Sequence, residues 1–398
     1  MYPSLTLKPG REKSAYNYHP WIFSGAVQRM PNAPNGSIVQ VLASDYASIG
    51  FGFFDPESQI TCRIFHFTDG PDPDLNPDLG PLYWTDKIAN AYALRKAFVL
   101  NNDTDSCRLI HAEGDYFPGL IIDIYGHGTD APLAVIQLGT KGAESLAKDI
   151  VAGLAAIDIP YVFLKNAQNT EVQNTNGWLT QALPFGNGII MKENGLSFRV
   201  DYQKGQKTGF FLDQRENRDL VKALSKGKSV LNAFGYTGGF SAYALAGGAT
   251  EVVSVDISGE ATATCEENVK MNFPDAEHTA IAADCFDYIR NCNRTFDMIV
   301  LDPPAFAKNA RSVNNATRGY KELNMAALKA LNPGGILFTF SCSQHVDRDL
   351  FGKILFGAAA DTGLRVRILQ RMSQPADHPT DIYHPEGEYL KGLVLTVL

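Results

Sequence analysis

Seven short apolar runs in the second half of the chain constrain the fold most strongly. They cover residues 229–234, 252–256, 279–283, 298–302, 336–341, 365–369 and 393–397. Strands that are buried on both faces of a sheet are continuously apolar, and connections long enough for a helix are typical of parallel sheets. The pattern therefore predicts an α/β fold with a seven-stranded, doubly wound, Rossmann-like sheet.

Several of these runs end in a polar residue or lead directly into one. Those polar residues are Asp256, Asp284, Asp302 and Cys342. In doubly wound sheets, ligands bind at the carboxyl ends of the strands. The sequence therefore predicts a binding site along this edge.

The first half of the chain has a different organisation. Short strand-like runs separated by Gly, Pro and Asn predict a small β-rich domain over residues 1–70. Residues 66–81 contain four Pro, four Asp and no Lys or Arg, which predicts a linker at 71–82. A mixed α+β middle domain is expected over 83–192, beginning with a helix at 85–100 capped by Thr85. The α/β domain then occupies 193–398.

The composition, with 45% hydrophobic and 20% charged residues, is that of a folded globular protein. No apolar stretch reaches the ~20 residues that span a bilayer, and the first residues do not resemble a signal peptide. The six cysteines form no CxxC pair and no zinc-type spacing, so we expect reduced thiols, no metal site and a cytoplasmic location.

The turn after the first run of the α/β domain contains Gly235, Gly238 and Gly239. Glycines there allow a tight turn and a close approach to a ligand, but the spacing is not GxGxxG, which disfavours a nicotinamide-dependent oxidoreductase. Asp256 is placed to bind ribose hydroxyls, and Asp284 to accept from an adenine amino group. Together these features predict a pocket for an adenosyl ligand.

The motif LDPPAF holds Asp302 rigidly, since two prolines end the strand before it. Cys342 follows the next strand, and its loop position and small neighbours Ser341 and Ser343 favour an accessible thiol. A thiolate that attacks C6 of cytosine turns C5 into a carbon that can accept a methyl group. Asp302 would then stabilise the charge that develops at N3.

Two basic runs flank this predicted pocket, although the chain carries a net charge of −8. Residues 204–228 contain seven basic and three acidic residues, with Phe210 and Phe211 interleaved. The second run follows the Asp302 loop. Such runs are often only solvated surface, but two beside one pocket favour a polyanionic substrate. The residues predicted to contact this polyanion are Lys204, Lys207, Lys308, Arg311, Arg318 and Lys321.

The motifs along the chain resemble those of a known family. In chain order they are GREKSAYNYHPWIFSGAV, GDYFPGLIIDIYG, GQKTGFFLDQRENR, NAFGYTGGF, SVD, LDPPAF, RGYKELN, FSCS and PEGEYLKG. The chain is similar, over essentially its whole length, to the class I 23S ribosomal RNA cytosine-5 methyltransferases. The resemblance implies an N-terminal PUA domain, a small RNA-binding β-barrel, ahead of the middle domain and the methyltransferase sheet.

The resemblance also implies S-adenosyl-L-methionine as cofactor, S-adenosyl-L-homocysteine as product, and 23S rRNA or a large-subunit assembly intermediate as partner. Cys342 takes the place of the nucleophile and Asp302 that of the base-orienting carboxylate. The implied cofactor-binding residues are Asn232, Phe234, Tyr236, Thr237, Gly238, Asp256, Asp284, Phe210, Asp213, Gln214 and Arg215. No membrane partner is expected, and exposed strands in the middle domain leave a homodimer open.

Ala305 departs from the pattern of better-known RNA cytosine-5 enzymes, which have a second Cys at that position to assist product release. A sister group with the same KTGFFLDQR segment methylates guanine N7 and lacks a Cys in the later loop, so Cys342 favours cytosine C5. Two alternatives stay open. One is a methyltransferase that acts on guanine N7 or another base position without a covalent Cys. The other is an inactive rRNA-binding assembly protein.

Overall fold

The computed structural model describes residues 2–68, 77–166, 176–184, 186, 188–307 and 310–398. The chain divides into two compact units. Unit 1 comprises Met1–Met191, Val200–Leu212 and Ala376–Gly387. Unit 2 comprises Lys192–Arg199, Asp213–Pro375 and Glu388–Leu398.

In the described part of unit 1, six strands near the N-terminus form one sheet in the order β2-β6-β5-β4-β1-β3. The elements are β1 (Ser4–Leu7), α1 (Lys13–Tyr16), β2 (Trp21–Phe23), β3 (Val27–Arg29), β4 (Ile38–Leu42), β5 (Ser48–Phe54) and β6 (Ile60–Phe67). Buried residues alternate with less buried ones along β4, because one face of the strand is covered by a small core that includes Leu5, Val39 and Ile64.

A second sheet in the described part of unit 1 has the order β11-β10-β9-β8-β7. Its elements are α2 (Pro81–Phe98), β7 (Cys107–His111), β8 (Leu120–Tyr125), β9 (Leu133–Leu138), α3 (Lys141–Ser145), α4 (Ala147–Ala156), β10 (Tyr161–Leu164) and β11 (Gly177–Trp178). Trp84 of α2 is buried in one cluster with Phe51 and Phe53 of the first sheet and Ile122 of the second. The β-rich module and the middle region therefore share a core.

The start of α2 differs from the prediction. The helix begins at Pro81, with Gly80 at the N-cap, so Thr85 lies inside the first turns and does not cap it. The Thr85 hydroxyl instead donates to the carbonyl of Pro81 at 3.1 Å. Proline is favoured at the first helical position because its fixed φ suits the helix and its missing N–H would have no partner there.

A hairpin of β12 (Ile189–Glu193) and β13 (Leu196–Val200) precedes the main part of unit 2. The elements that follow are α5 (Arg215–Leu224), β14 (Ser229–Ala233), α6 (Gly239–Ala246), β15 (Glu251–Asp256), α7 (Gly259–Asn272), β16 (His278–Ala282), α8 (Cys285–Asn291), β17 (Phe296–Leu301), α9 (Val313–Lys329), β18 (Leu331–Ser341), α10 (Arg348–Thr362), β19 (Val366–Met372) and β20 (Lys391–Val397). Each predicted apolar run is a strand here, with ends that shift by a few residues.

The sheet in the described part of unit 2 has seven strands in the order β16-β15-β14-β17-β18-β20-β19. The first five strands in this order are parallel, while β20 is inserted antiparallel between β18 and β19. The predicted doubly wound α/β sheet is confirmed. The order reverses at β14, so the carboxyl ends of β14, β15 and β17 meet at the switch point where ligands bind in such folds.

No helix among the described residues is long and apolar enough to cross a membrane.

Candidate active site

The loop between β14 and α6 has an unusual backbone. Phe234, Tyr236 and Gly238 have φ angles of +60°, +46° and +83°, which lie in the left-handed region. Such conformations are costly for residues with side chains and persist where the surrounding structure imposes them, often at functional sites. A Cβ atom on Gly238 would lie 2.5 Å from Sγ of Cys265, so the chain needs glycine at this position.

Asp256, the last residue of β15, fixes this loop from the neighbouring strand. Its carboxylate accepts hydrogen bonds from the backbone N–H groups of Tyr236 and Ser258, both at 2.9 Å. Ser258 in turn caps α7 by accepting from the N–H of Ala261. The half-buried Asp256 side chain thus joins the carboxyl end of β15 to the loop after β14.

Two buried polar atoms in the same region have no hydrogen-bond partner within the described part of the chain. They are Oδ1 of Asn232 and Oγ1 of Thr237. The side-chain amide of Asn232 donates to Ser241 Oγ at 2.8 Å, which leaves its carbonyl oxygen as an acceptor. Buried polar atoms cost free energy unless they are satisfied, so this loop suits a ligand with polar groups.

Cys285 is a structural residue of the loop that the sequence analysis missed. Its Sγ accepts from the N–H of Phe234 at 3.2 Å and donates to the carbonyl of Val255 at 3.4 Å. Burial raises the pKa of this thiol to about 12, so it stays protonated. Asp284, just before it, is exposed and caps α8 by accepting from the N–H of Asp287 at 3.0 Å.

Asp302 and Cys342 are brought to the same edge of the sheet. β17 and β18 are adjacent and parallel, with Leu301 opposite Thr339. Asp302 is the first residue after β17 and Cys342 the first after β18, and both are half-buried. Adjacent strands lie about 4.8 Å apart, so the backbones of Asp302 and Cys342 lie near each other at the carboxyl edge of the sheet.

The residues on either side of Cys342 do not make the loop open, as their small size had indicated. Ser341 and Ser343 are fully buried. Each hydroxyl lies 3.0 Å from the hydroxyl of Tyr320 on α9. Burial raises the pKa of Tyr320, so it acts as a neutral hydrogen-bonding group. Tyr320 therefore holds the loop from inside the core, and Cys342 alone of the three is partly exposed.

The segment before α5 supplies further predicted cofactor residues. Asp213 is buried and accepts a hydrogen bond from the Tyr389 hydroxyl at 2.7 Å. The side-chain oxygen of Gln214 accepts from the amide of Asn217 at 2.6 Å. Phe210, also predicted to border the cofactor, is buried in unit 1.

The basic character predicted for residues 204–228 is only partly a surface property. Arg215 and Arg218 are buried and form ion pairs with the fully buried Glu193. Tyr243 also donates to this carboxylate at 3.0 Å. The two arginines therefore neutralise an internal charge and do not contribute to a surface for a polyanion. Lys204 and Lys207 of the same run are exposed in unit 1.

The second basic run is also divided by the structure. Arg311 and Arg318 are exposed, and within the described residues neither has an ion-pair partner. Lys321 lies one turn further along α9 and pairs with Asp361 at 2.7 Å. Lys308 lies outside the described residues. The two arginines therefore remain as the uncompensated cations of this run.

Comparisons with known proteins agree with this geometry. The sequence profile of a family described as S-adenosylmethionine-dependent methyltransferase matches residues 167–394, more than half of the chain. The chain belongs to this methyltransferase family. A profile for a PUA-like domain matches residues 5–67, which cover β1 to β6. S-adenosyl-L-methionine is therefore the cofactor of this methyltransferase, as predicted.

Relatives extend the match to the full length. The methyltransferase is 41% identical over 406 aligned residues to the "Ribosomal RNA large subunit methyltransferase I" of Shewanella denitrificans, with 99% of each chain covered. It is 39% identical to the protein of the same name from Pseudoalteromonas atlantica, with 100% of each chain covered. The family recognised from the sequence motifs is confirmed.

Solved structures share the fold over the whole chain. A candidate SAM-dependent methyltransferase from Streptococcus mutans has a TM-score of 0.82 at 23% identity, covering 99% of this methyltransferase and 100% of that protein. SMU.776, a candidate methyltransferase solved in complex with SAH, has a TM-score of 0.83 at 24% identity with the same coverage. At this identity the likeness concerns the fold.

Proposed function

We propose that this methyltransferase transfers a methyl group from S-adenosyl-L-methionine to C5 of a cytosine in 23S rRNA, through a covalent bond between Cys342 and C6 of the base. The observation that carries the proposal is the position of Cys342 and Asp302 at the carboxyl ends of two adjacent parallel strands. The names of the full-length relatives support a large-subunit rRNA as substrate.

The cofactor would bind at the loop between β14 and α6. Asp256 would bind the ribose and Asp284 the adenine, and the unsatisfied oxygens of Asn232 and Thr237 suit the polar end of the ligand. The remaining candidates are Phe234, Tyr236, Gly238, Phe210, Asp213, Gln214 and Arg215. When bound, S-adenosyl-L-methionine supplies the activated methyl group and becomes S-adenosyl-L-homocysteine.

The chemistry then depends on two side chains. The Cys342 thiolate forms a bond to C6, and the electron pair of the C5–C6 double bond moves to make C5 nucleophilic. Asp302 hydrogen bonds the pyrimidine at its N3 and amino edge and stabilises the charge that develops there. After methylation, the C5 proton leaves to a base or to water, the C6–S bond breaks, and the thiolate is regenerated.

The rRNA would contact exposed cations of the two basic runs. Arg311 and Arg318 are the strongest candidates because the described residues leave their charges uncompensated. Lys204, Lys207, Lys308 and Lys321 complete the proposed set. Phosphate contacts of this kind carry most of the affinity and weaken as the salt concentration rises.

The decisive experiment is methylation of 23S rRNA with labelled S-adenosyl-L-methionine, followed by nucleoside analysis, for the unchanged protein and Cys342→Ala. We expect labelled 5-methylcytidine from the unchanged protein and none from the variant, while calorimetry finds equal S-adenosyl-L-homocysteine binding. An RNA that carries 5-fluorocytidine at the target should trap a denaturation-resistant adduct with Cys342 only.

Other outcomes would overturn the proposal. Full activity of Cys342→Ala would exclude covalent catalysis through this thiol. Labelled 7-methylguanosine would indicate chemistry at guanine without a covalent Cys. Absence of any S-adenosyl-L-methionine binding would leave only an RNA-binding role in assembly.

A further inference from the structure

Lys391 is a buried lysine beside the Cys342 loop, and the proposed mechanism does not use it. Only 4% of the residue is exposed. It is the first residue of β20 and lies directly opposite Ser341 in the antiparallel pair of β18 and β20. The residue that precedes Cys342 is therefore the backbone neighbour of Lys391.

The ammonium of Lys391 also reaches the other side of Cys342. Nζ donates to the carbonyl oxygens of Ser343 and Tyr389, both at 2.7 Å. Ser341, just before Cys342, thus lies opposite the backbone of Lys391, and Ser343, just after Cys342, accepts a hydrogen bond from its side chain. An ammonium has three N–H donors, so two of them are used by neutral carbonyls.

A buried ammonium is expensive unless an anion lies near it. Burial lowers the pKa of Lys391 to about 8, and the nearby Cys342 is the first charge that opposes this shift. The other charged groups that face the lysine are Arg348, Glu388 and Asp347.

Those other groups are already engaged. Arg348 is paired with Glu388, and the Asp347 carboxylate caps α10 by accepting from the N–H of Leu350 at 2.7 Å. No carboxylate in the described part of the chain lies within ion-pair distance of the Lys391 ammonium. The group that can supply the missing negative charge is therefore the Cys342 thiol on losing its proton.

We propose that Lys391 is a positioning residue that holds the Cys342 loop through the Ser343 carbonyl and stabilises the thiolate form of Cys342 with its positive charge. A nearby cation favours the thiolate, which is the reactive form of cysteine. The importance of this role for methylation rests on the proposed function, but the state of the thiol does not, and it is measurable without RNA.

The test is the rate at which iodoacetamide alkylates Cys342 between pH 5.5 and 10 in the full-length protein, followed for each cysteine by mass spectrometry. In the unchanged protein we expect the alkylation rate to rise with pH about a midpoint below pH ~8.5, the usual pKa of a cysteine. In Lys391→Met this midpoint should rise by at least one pH unit, so alkylation of Cys342 at pH 7 should be about tenfold slower. Lys391→Arg keeps the positive charge, so the midpoint in this variant should stay near that of the unchanged protein.

Two controls separate this electrostatic role from a structural one. Cys292 is a second half-buried thiol, and its profile should be the same in all variants. Lys353 is an exposed lysine on α10 that pairs with Asp349, and Lys353→Met should leave the Cys342 profile unchanged. Circular dichroism and S-adenosyl-L-homocysteine binding verify that each variant is folded.

An inflection of Cys342 at or above pH ~8.5 in the unchanged protein would overturn the inference without any variant, even if Lys391→Met does not fold. Equal profiles for the unchanged protein and Lys391→Met would also overturn it. The two proposals fail separately. An active Cys342→Ala removes the covalent mechanism but leaves a shifted thiol profile intact, whereas an inactive Cys342→Ala with an unshifted profile removes only the role of Lys391.

Discussion

The carboxylate of Asp256 accepts a hydrogen bond at 2.9 Å from the backbone N–H of Tyr236, a residue with a positive φ angle. This bond connects the ends of two neighbouring strands, β14 and β15. It offsets part of the cost of the left-handed backbone by satisfying an N–H that the turn would otherwise leave without a partner. The same carboxylate thus shapes the loop and is the proposed ribose ligand.

Replacing Asp256 by Asn should therefore weaken S-adenosyl-L-homocysteine binding. Loss of a charge-assisted hydrogen bond is worth about 1.5–3 kcal/mol, so we expect a roughly 10- to 100-fold higher Kd in calorimetry. Asp297 provides the matched control, because it accepts from Ser229 and Asn332 where β17 begins, at the opposite edge of the sheet. Asp297→Asn should lower stability and leave the Kd unchanged. Equal effects of both variants on binding would contradict a specific role for Asp256.

Gly238→Ala should destabilise unit 2 and weaken cofactor binding. The new Cβ would meet Sγ of Cys265 at 2.5 Å, and the φ of +83° disfavours any side chain. We expect a loss of about 1–3 kcal/mol in urea denaturation. Gly352 lies in α10 with open space around its Cβ position, so Gly352→Ala should raise stability by about 0.5–1 kcal/mol. If Gly238→Ala changed neither the free energy of unfolding nor cofactor binding, the loop would have to adjust to the new Cβ without cost.

Glu193→Gln should be strongly destabilising, since it leaves Arg215 and Arg218 buried without their anion. Removing one partner of a buried ion pair costs about 3–5 kcal/mol. The exposed pair of Glu251 and Arg294 is the comparison, and Glu251→Gln should cost at most about 1 kcal/mol. Urea denaturation of the two variants measures the difference. Similar losses would mean that the internal network contributes little.

Lys87 should make the stability of unit 1 depend on pH. Its Nζ is surrounded by the rings of Tyr83, Tyr116 and Phe117 and donates to the carbonyl of Phe65 at 3.0 Å. Burial lowers the pKa of Lys87 to about 7, and the negative charge of the neighbouring Asp115 partly opposes this shift.

Between this value and the unfolded value of about 10.4, the unfolded chain binds more protons than the folded one. The contribution of Lys87 to the free energy of unfolding should therefore rise by about 1.4 kcal/mol per pH unit above pH 7, with its full burial cost present below that pH. Urea denaturation at pH 6, 7.5 and 9 measures the slope for the unchanged protein and for Lys87→Met. If the free energy of unfolding depended on pH in the same way in both proteins, Lys87 would not be the source of the pH dependence.

Arg318→Ala should reduce rRNA affinity more than Lys321→Ala. Arg318 carries an exposed charge that no ion pair compensates within the described residues, whereas Lys321 pairs with Asp361 at 2.7 Å. Loss of one phosphate contact should lower the slope of log K against log salt concentration by about 0.7–0.9. Filter binding at several salt concentrations measures both slopes. A larger effect of Lys321→Ala would contradict Arg318 as the stronger phosphate contact.

The sheet of unit 2 was predictable because parallel strands buried on both faces need continuous apolar runs, and those runs are visible in the sequence. The polar residues that end the runs were equally visible, so the carboxyl edge with Asp256, Asp302 and Cys342 could be located. The start of α2 is harder to predict, because Pro81 fits both a linker and the favoured first position of a helix.

Residue charges were the least reliable guide. Arg215 and Arg218 lie in a basic run, yet both are internal partners of Glu193, more than twenty residues earlier in the chain. A count of charges along the sequence cannot distinguish a paired cation inside the fold from an exposed one, because pairing depends on which segments meet in space.

The sequence by itself therefore determined the strands, their class of sheet, the family, and the types of polar side chain at the carboxyl edge. These are local properties, set by the apolar pattern, the prolines and the glycines of each segment. The tertiary structure alone decided that Lys391 reaches the Cys342 loop and that Tyr320 holds its serines. Those contacts exist because β20 returns antiparallel beside β18, and pairing between distant segments has no signature in either segment alone.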